Sequence, residues 1–223
     1  FETPIARMEQ DAGGHIWFLA NSYGDSGIYC LTASDVWERY TSASAPALGT
    51  STAYDLVAMP NGDVWFGLNY TNGVGRFRRG SGWSRITLTT LGIDGYGAES
   101  ITAIGGNLWF SSGYNPAITG NGTGVHKLML NASGDYVSHQ SYTYRNTSTT
   151  VPSNRCRAVA GDKSGNVWFG DYDDSVISRR KPNGTWETFT SATVPFTMNF
   201  GIVAIAVDSA NIVYFYTHNA PPF

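Results

Sequence analysis

The apolar positions of this chain fall in short runs of strand length, separated by clusters of Gly, Asn, Asp and Ser, and the runs repeat. HIWFLA at 15–20 is rewritten as DVWFGL at 63–68, NLWFSS at 107–112, NVWFGD at 166–171 and IVYFYT at 212–217. Between the leading aromatics Trp17, Trp65, Trp109, Trp168 and Tyr214 the steps are 48, 44, 59 and 46 residues. Ahead of each aromatic strand stands a second apolar one: IARMEQ, DLVAMP, SITAIG, RAVAGD and IVAIAV. The turns DAGGH, NGD, GGN, DKSGN and DSAN join each pair, so every repeat opens with a tight hairpin.

A glycine-bearing loop leads on to a third strand (GIYCLT, GVGRFRR, GVHKLML, SVISRRK) and a fourth (VWERYT, WSRITLT, YVSHQSY, TWETFT). Each repeat is therefore a four-stranded meander. A period of about 40–50 residues predicts an all-β propeller of about five blades and argues against helical TPR or ankyrin arrays. A single domain is expected over 1–223, with blades at about 5–44, 53–90, 99–144, 155–191 and 200–217.

Trp37, Trp83 and Trp186 follow the first tryptophan of their repeats by 20, 18 and 18 residues, and the third repeat offers Tyr136 or Tyr142 instead. A blade is a twisted sheet packed on both faces, so large aromatics are expected to fill the wedge between blades. The last repeat lacks its third and fourth strands, whereas Phe1-Glu2-Thr3-Pro4 resembles the tail of a fourth strand, as in Trp186-Glu187-Thr188-Phe189. An incomplete fifth blade is thus expected, read as a segment of a longer propeller, as a tolerated short blade capped by the Ala220-Pro221-Pro222 tail, or as an open strand edge that a second copy completes.

Charge and cysteine usage narrow the function classes. Fourteen Lys and Arg against 17 Asp and Glu give a net charge of −3, which provides no basic footprint for nucleic acid. Cys30 and Cys156 show neither disulfide-framework nor metal spacing and read as small buried hydrophobes. The longest apolar stretch, 201–216, is cut by Asp208, Ser209 and Asn211, so no membrane span is expected. Sequons at Asn69, Asn121, Asn131, Asn146 and Asn183 lend weak support to a secreted origin.

The segments GDKSGNVWFGDYDDSVISRRKPNGTWETFTS and PNGDVWFGLNYTNGVGRFRRGSGWSRIT resemble the repeats of the two-component regulator propeller family. Those repeats run Asp-x-x-Gly-Asn-x-Trp-Phe-Gly, then Gly-x-x-Arg-Phe or Tyr, then a Trp leading a Tyr-Thr ending. The likeness covers nearly the whole chain and is best kept in the second and fourth repeats. It implies an extracytoplasmic ligand-sensing or scaffolding propeller, in some members attached to a sensor kinase. A more distant resemblance is to propellers of the virginiamycin B lyase type, whose His, Glu and divalent-cation set does not transfer, because His15, His126, His139 and His218 occupy differing strand positions. Five-bladed lectins share only blade number and size.

Candidate chemistry is sparse. The turns at Asp11, Asp162 and Asp208 gather oxygens, but Asp in such turns bonds its own backbone, and a structural reading is preferred over calcium. Asp171-Tyr172-Asp173-Asp174 sits between the second and third strands and offers carboxylates to a polyhydroxyl ligand or hard cation. Arg76, Arg78, Arg79, Arg179 and Arg180 lie on third strands and read as solvated outer residues. No Ser/His/acid trio or carboxylate pair is legible, so enzyme activity is left open with the balance against it, and no cofactor is expected.

The long loops share one end of the ring. There Tyr23, Tyr54, Tyr70, Tyr96, Tyr114 and Tyr172 alternate with Asn21, Asn69, Asp94, Asn115 and Asp171, placing flat apolar rings beside polar partners. This mixture suits a glycan, peptide or small-molecule ligand. The expected function is extracytoplasmic recognition or sensing at that end, with a five-bladed sugar-binding lectin or a metal-dependent polysaccharide or lactone lyase as alternatives.

Overall fold

The computed structural model describes residues 5–20, 26–50, 52–113, 124–143, 156–172, 175–195 and 201–217. Blade 1 is built from β1 (Ile5–Gln10), β2 (Ile16–Ala20), β3 (Gly27–Leu31) and β4 (Trp37–Tyr40). Blade 2 follows with β5 (Ala53–Ala58), β6 (Val64–Leu68), β7 (Val74–Arg78) and β8 (Gly82–Ile86). Blade 3 comprises β9 (Ala98–Ile104), β10 (Asn107–Ser112), β11 (Gly124–Leu130) and β12 (Tyr136–Tyr142). Blade 4 comprises β13 (Cys156–Gly161), β14 (Val167–Asp171), β15 (Ile177–Arg180) and β16 (Trp186–Phe189), and blade 5 pairs β17 (Ile202–Val207) with β18 (Val213–Thr217). Every sheet is an antiparallel meander in chain order, so the protein is a β-propeller whose fifth blade carries two strands among the described residues. No helix among the described residues is long and apolar enough to cross a membrane.

The first strands stand side by side around a central channel, β1 against β5, β5 against β9, β9 against β13 and β13 against β17. In blades 2 and 4 the Gly of Trp-Phe-Gly lets the first strand of the next blade lie close against the second strand. A Cβ on Gly67 would lie 2.3 Å from the Ala98 carbonyl oxygen, and one on Gly170 would lie 2.4 Å from Ile202 Cγ2.

Aromatic packing between blades follows from strand alternation. Trp17 meets Phe66 at 5.6 Å and Phe77 at 5.0 Å, Trp109 meets Phe169 at 6.0 Å, and Trp168 meets Phe215 at 5.7 Å. The tryptophan of one blade thus packs on the phenylalanine that follows the corresponding aromatic in the next. Within blades 1, 3 and 4 a fourth-strand ring stacks on that tryptophan: Tyr40 on Trp17, Tyr142 on Trp109 and Phe189 on Trp168, at 6.0, 5.6 and 5.8 Å. Tyr142, not Tyr136, is therefore the inward ring of blade 3.

Two expectations are corrected. Trp37 does not lie between blades; it is 50% exposed and packs on Phe18. The ladder explains why: Trp37, Trp83 and Trp186 pair with Leu31, Phe77 and Arg180, which places all three on the face turned toward the preceding blade. Trp83 and Trp186 meet rings of the preceding blade there, Trp17 and Tyr142, while Trp37 stays half exposed. Arg76, Arg78 and Arg180, in turn, are pins between blades and not solvated outer residues. Arg78 donates through Nε and Nη2 to Asp63 at 2.7 and 2.6 Å and through Nη1 to Asp135 of blade 3 at 3.0 Å. Arg76 also reaches Asp135, at 2.8 Å, and lies over the Trp65 ring. Arg180 spans to blade 3 over Trp109 and Tyr142, while Arg179 lies over Trp168 and bonds Glu187.

Candidate functional site at the channel mouth

The hairpin turns contribute structure. Oδ1 of Asp11, Asp162 and Asp208 accepts the backbone N–H groups two and four residues on, at 2.8–3.0 Å. The second oxygen holds the aromatic six residues on: Trp17 at 2.9 Å, Trp168 at 2.8 Å and the Tyr214 hydroxyl at 3.0 Å. No group of three or more His, Cys, Asp and Glu with metal-holding geometry occurs among the described residues. Cys30 and Cys156 are buried, and burial pushes the Cys30 thiol up to about 11.

At the channel, one acid ties four blades together. Asp55 on β5 is 6% exposed; its Oδ2 accepts Ser100 Oγ and the Ile101 N–H of blade 3, each at 3.0 Å, and its Oδ1 faces Arg7 Nε of blade 1 at 3.0 Å. Ser100 Oγ in turn accepts the Val159 N–H of blade 4 at 3.2 Å. Burial raises the Asp55 carboxyl above its ordinary value against the pull of Arg7. Asp55 Oδ1 also accepts the Leu56 N–H of its own strand at 2.9 Å, and the other bonds of this acid tie neighbouring blades together.

Above this network, toward the long-loop end, each first strand carries a β-bulge at the same place. The ladders skip one residue between Ile5 and Arg7, Ala53 and Asp55, Ala98 and Ser100, Cys156 and Ala158, and Ile202 and Ala204. The skipped residues are Ala6, Tyr54, Glu99, Arg157 and Val203, and all five line one cavity of about 370 Å³ at the channel mouth, with Arg7 and Ser100 in its wall. A bulge inserts a residue that the ladder does not use and re-aims its side chain. Here that happens once per blade, on one ring.

Tyrosines cluster around this ring. Tyr70 and Tyr96 meet edge to face at 4.7 Å, and Arg157 lies 5.0 Å over the ring of Tyr172. The Tyr54 hydroxyl is raised, first by burial and then by the negative charge of Glu99. Glu99 and Arg157 are 3.8 Å apart with 30% and 45% of their side chains exposed, a loose pair of small net energy. Tyr70 adopts φ 51°, a left-handed conformation that costs a non-glycine residue about 1–2 kcal/mol. The short turn at 70–72 is held by Asn72, which donates to the Asn69 carbonyl at 2.9 Å and accepts from Arg85.

The sequence-expected residues distribute unevenly. Tyr54, Tyr70, Tyr96 and Tyr172 converge at the mouth, with Asp94 exposed two residues before Tyr96. Asn69 is buried as the cap of the 70–72 turn, and Asp171, 1% exposed, ends β14 inside the blade. Asn21, Tyr23, Tyr114, Asn115, Asp173 and Asp174 lie outside the described residues. Glu99, Arg157 and Arg7 were missed; the signal was a single column at the start of the first strands, where Tyr, Glu and Arg interrupt otherwise apolar runs.

Neither a family model nor a curated protein matches the chain. Among solved structures it is similar to the extracellular domain assigned to a hybrid two-component system of B. thetaiotaomicron, with TM-score 0.71 and 16% identity. That match covers 96% of this chain and 26% of the other, so the chain spans about a quarter of its length. Virginiamycin B lyase from Staphylococcus aureus gives TM-score 0.65 at 19% identity, covering 96% of this chain and 69% of that one. A gluconolactonase from Xanthomonas campestris gives 0.66 at 12%, covering 96% and 69%. At these identities the likeness establishes the propeller fold.

Proposed function

We propose that this β-propeller is a non-enzymatic recognition or sensing module of the extracytoplasmic space that binds a glycan, peptide or small polar ligand at its channel mouth. The observation that carries the reading is the ring of bulged residues, where Tyr54, Glu99 and Arg157 face one cavity flanked by Tyr70, Tyr96 and Tyr172. Flat rings beside charged donors and acceptors are what amphipathic ligands such as sugars engage. The likeness to an extracellular domain of a two-component system supports sensing and a secreted, periplasmic or cell-surface location. A glycan and peptide array tests it: a Tyr96→Ala, Tyr172→Ala double variant is expected to lose at least about tenfold in affinity, corresponding to about 1.4 kcal/mol. Binding by the variant equal to that of the parent overturns the assignment.

The likeness to a lyase and a gluconolactonase favours a second reading, a metal-dependent polysaccharide or lactone lyase. Chelator-sensitive turnover supports that reading over simple binding.

Self-association belongs to the same proposal. Blade 5 presents Tyr214 and Tyr216, 53% and 65% exposed, on the face whose counterparts elsewhere meet the next blade. The open strand edge of blade 5 is the surface through which a second chain is expected to pair, visible as concentration-dependent mass in light scattering; a monomer across a hundredfold dilution rules it out.

A further inference from the structure

The clefts between successive blades are built alike, and one of them lacks its anions. In the ladder Arg76 pairs with Trp65 and Lys127 pairs with Trp109, so these two cations hold equivalent positions in blades 2 and 3. Each lies against its tryptophan, at 5.4 and 5.6 Å from the ring centroid. Between blades 2 and 3 the positive charge of Arg76 and Arg78 is met by Asp135, from the β11–β12 hairpin, and by Asp63, which precedes β6.

Between blades 3 and 4 both carboxylate positions are changed. The residue preceding Leu108 is Asn107, where blade 2 has Asp63 before Val64. The hairpin bond Asn131 N–H to Asp135 O recurs as Lys181 N–H to Thr185 O, which puts Thr185 in the place of Asp135. Blade 4 moreover adds a second cation, for Arg180 lies over Trp109 at 5.5 Å, and its Nε is buried with no hydrogen-bond partner. Lys127, Arg180 and Lys163 border a cavity of about 490 Å³ with Asn107 and Trp109, and its lining contains no carboxylate. Burial and the charge of Arg180 lower the Lys127 ammonium, in keeping with like charges held together. The nearby acids have other partners: Glu187 takes Arg179 and Lys181, and Asp162 takes Trp168 and Asn166.

We propose that the cleft between blades 3 and 4 binds an oxyanion, the carboxylate or sulfate group of a small ligand, between Lys127 and Arg180. The internal template is Asp135, whose carboxylate occupies the matching place one cleft earlier. Charge-assisted bonds to such a group relieve the repulsion between the two cations. This site lies between blades and is independent of the channel mouth.

Titration calorimetry at constant ionic strength tests it, with sodium sulfate and sodium glucuronate as probes, and sodium chloride and glucose as controls. Saturable binding of sulfate, glucuronate or both, absent with the controls, is expected. Sulfate alone identifies a free-anion site, and glucuronate alone identifies an acidic-sugar site. Lys127→Met is expected to weaken binding at least tenfold while leaving stability at low salt equal to or above that of the parent. Asn107→Asp, which restores the carboxylate of the neighbouring cleft, is expected to abolish it. No saturable binding, or undiminished binding in both variants, overturns the proposal. A Lys127→Met protein less stable than the parent at low salt also overturns it, because Lys127 then serves only packing on Trp109.

Discussion

Trp17 donates its indole N–H to Asp11 Oδ2 across 2.9 Å, tying the second strand of its blade to the turn that starts it. Blades 4 and 5 repeat the bond with Asp162 and Trp168 and with Asp208 and Tyr214. In blade 2 the residue six before the aromatic is Met59, and Trp65 Nε1 is buried without a hydrogen-bond partner. The two tryptophans therefore differ in what a phenylalanine would remove. Trp17→Phe strips a buried carboxylate oxygen of its donor, whereas Trp65→Phe deletes an unsatisfied one. Urea denaturation is expected to show Trp17→Phe costing at least about 1 kcal/mol more than Trp65→Phe. Equal costs would mean that the bond adds nothing to stability.

The same turn sets an acid response. Burial works to raise the Asp162 carboxyl, but hydrogen bonds from Asn166, Trp168 and the Ser164 N–H prevail and hold it below its ordinary value. A carboxylate depressed in the folded state contributes stability above its unfolded pKa of about 3.9, and that contribution is lost as pH falls through the folded value. Asp162→Asn is expected to be less stable than the parent at pH 7 and to lose less on acidification below about pH 4. Thermal melts between pH 2 and 7 check this, and parallel pH curves would contradict it.

The pin between blades 2 and 3 predicts an asymmetry. Arg78→Met leaves Asp63, 1% exposed, with a buried charge that has lost its bidentate partner, and about 2–4 kcal/mol of stability is expected to go. Asp135 is 46% exposed, so Asp135→Asn is expected to cost about 1 kcal/mol or less. Chemical denaturation of the two variants orders them, and the reverse order would place the energy on the exposed acid.

At the channel mouth, binding and stability are expected to separate. Glu99→Gln and Arg157→Gln remove members of a loose, part-exposed pair and are expected to cost less stability than Arg78→Met. Each is expected to shift the binding profile on the glycan and peptide array, in opposite directions for acidic and basic ligands. Unchanged profiles in both variants would move the site away from this ring.

The repeat made the fold legible: the aromatic strands, their hairpins and the incomplete last blade all stand where the spacing of Trp17, Trp65, Trp109, Trp168 and Tyr214 put them. The candidate site was legible only through its tyrosines. Glu99 and Arg157 were hidden because a bulge breaks the alternation from which facing is read, and a polar residue interrupting an apolar run does not by itself show that a ladder will skip it. The arginine pins were hidden for a different reason. Arg76 and Arg78 alternate as solvated strand residues do, and their partner Asp135 lies nearly sixty residues downstream, a proximity that only ring closure between adjacent blades creates.

The bulge ring also separates two duties that most binding sites combine. The five skipped residues lie outside the pairing that sets strand register, and the positions on either side of them carry the packing between blades. Alanine at 6, valine at 203 and the tyrosine, glutamate and arginine between them show the same backbone accepting side chains that differ in size and charge. The mouth thus behaves as a set of five interchangeable slots on a fixed rim. On the proposed function, a lineage carrying this scaffold can exchange one ligand preference for another through substitutions that its folding does not register.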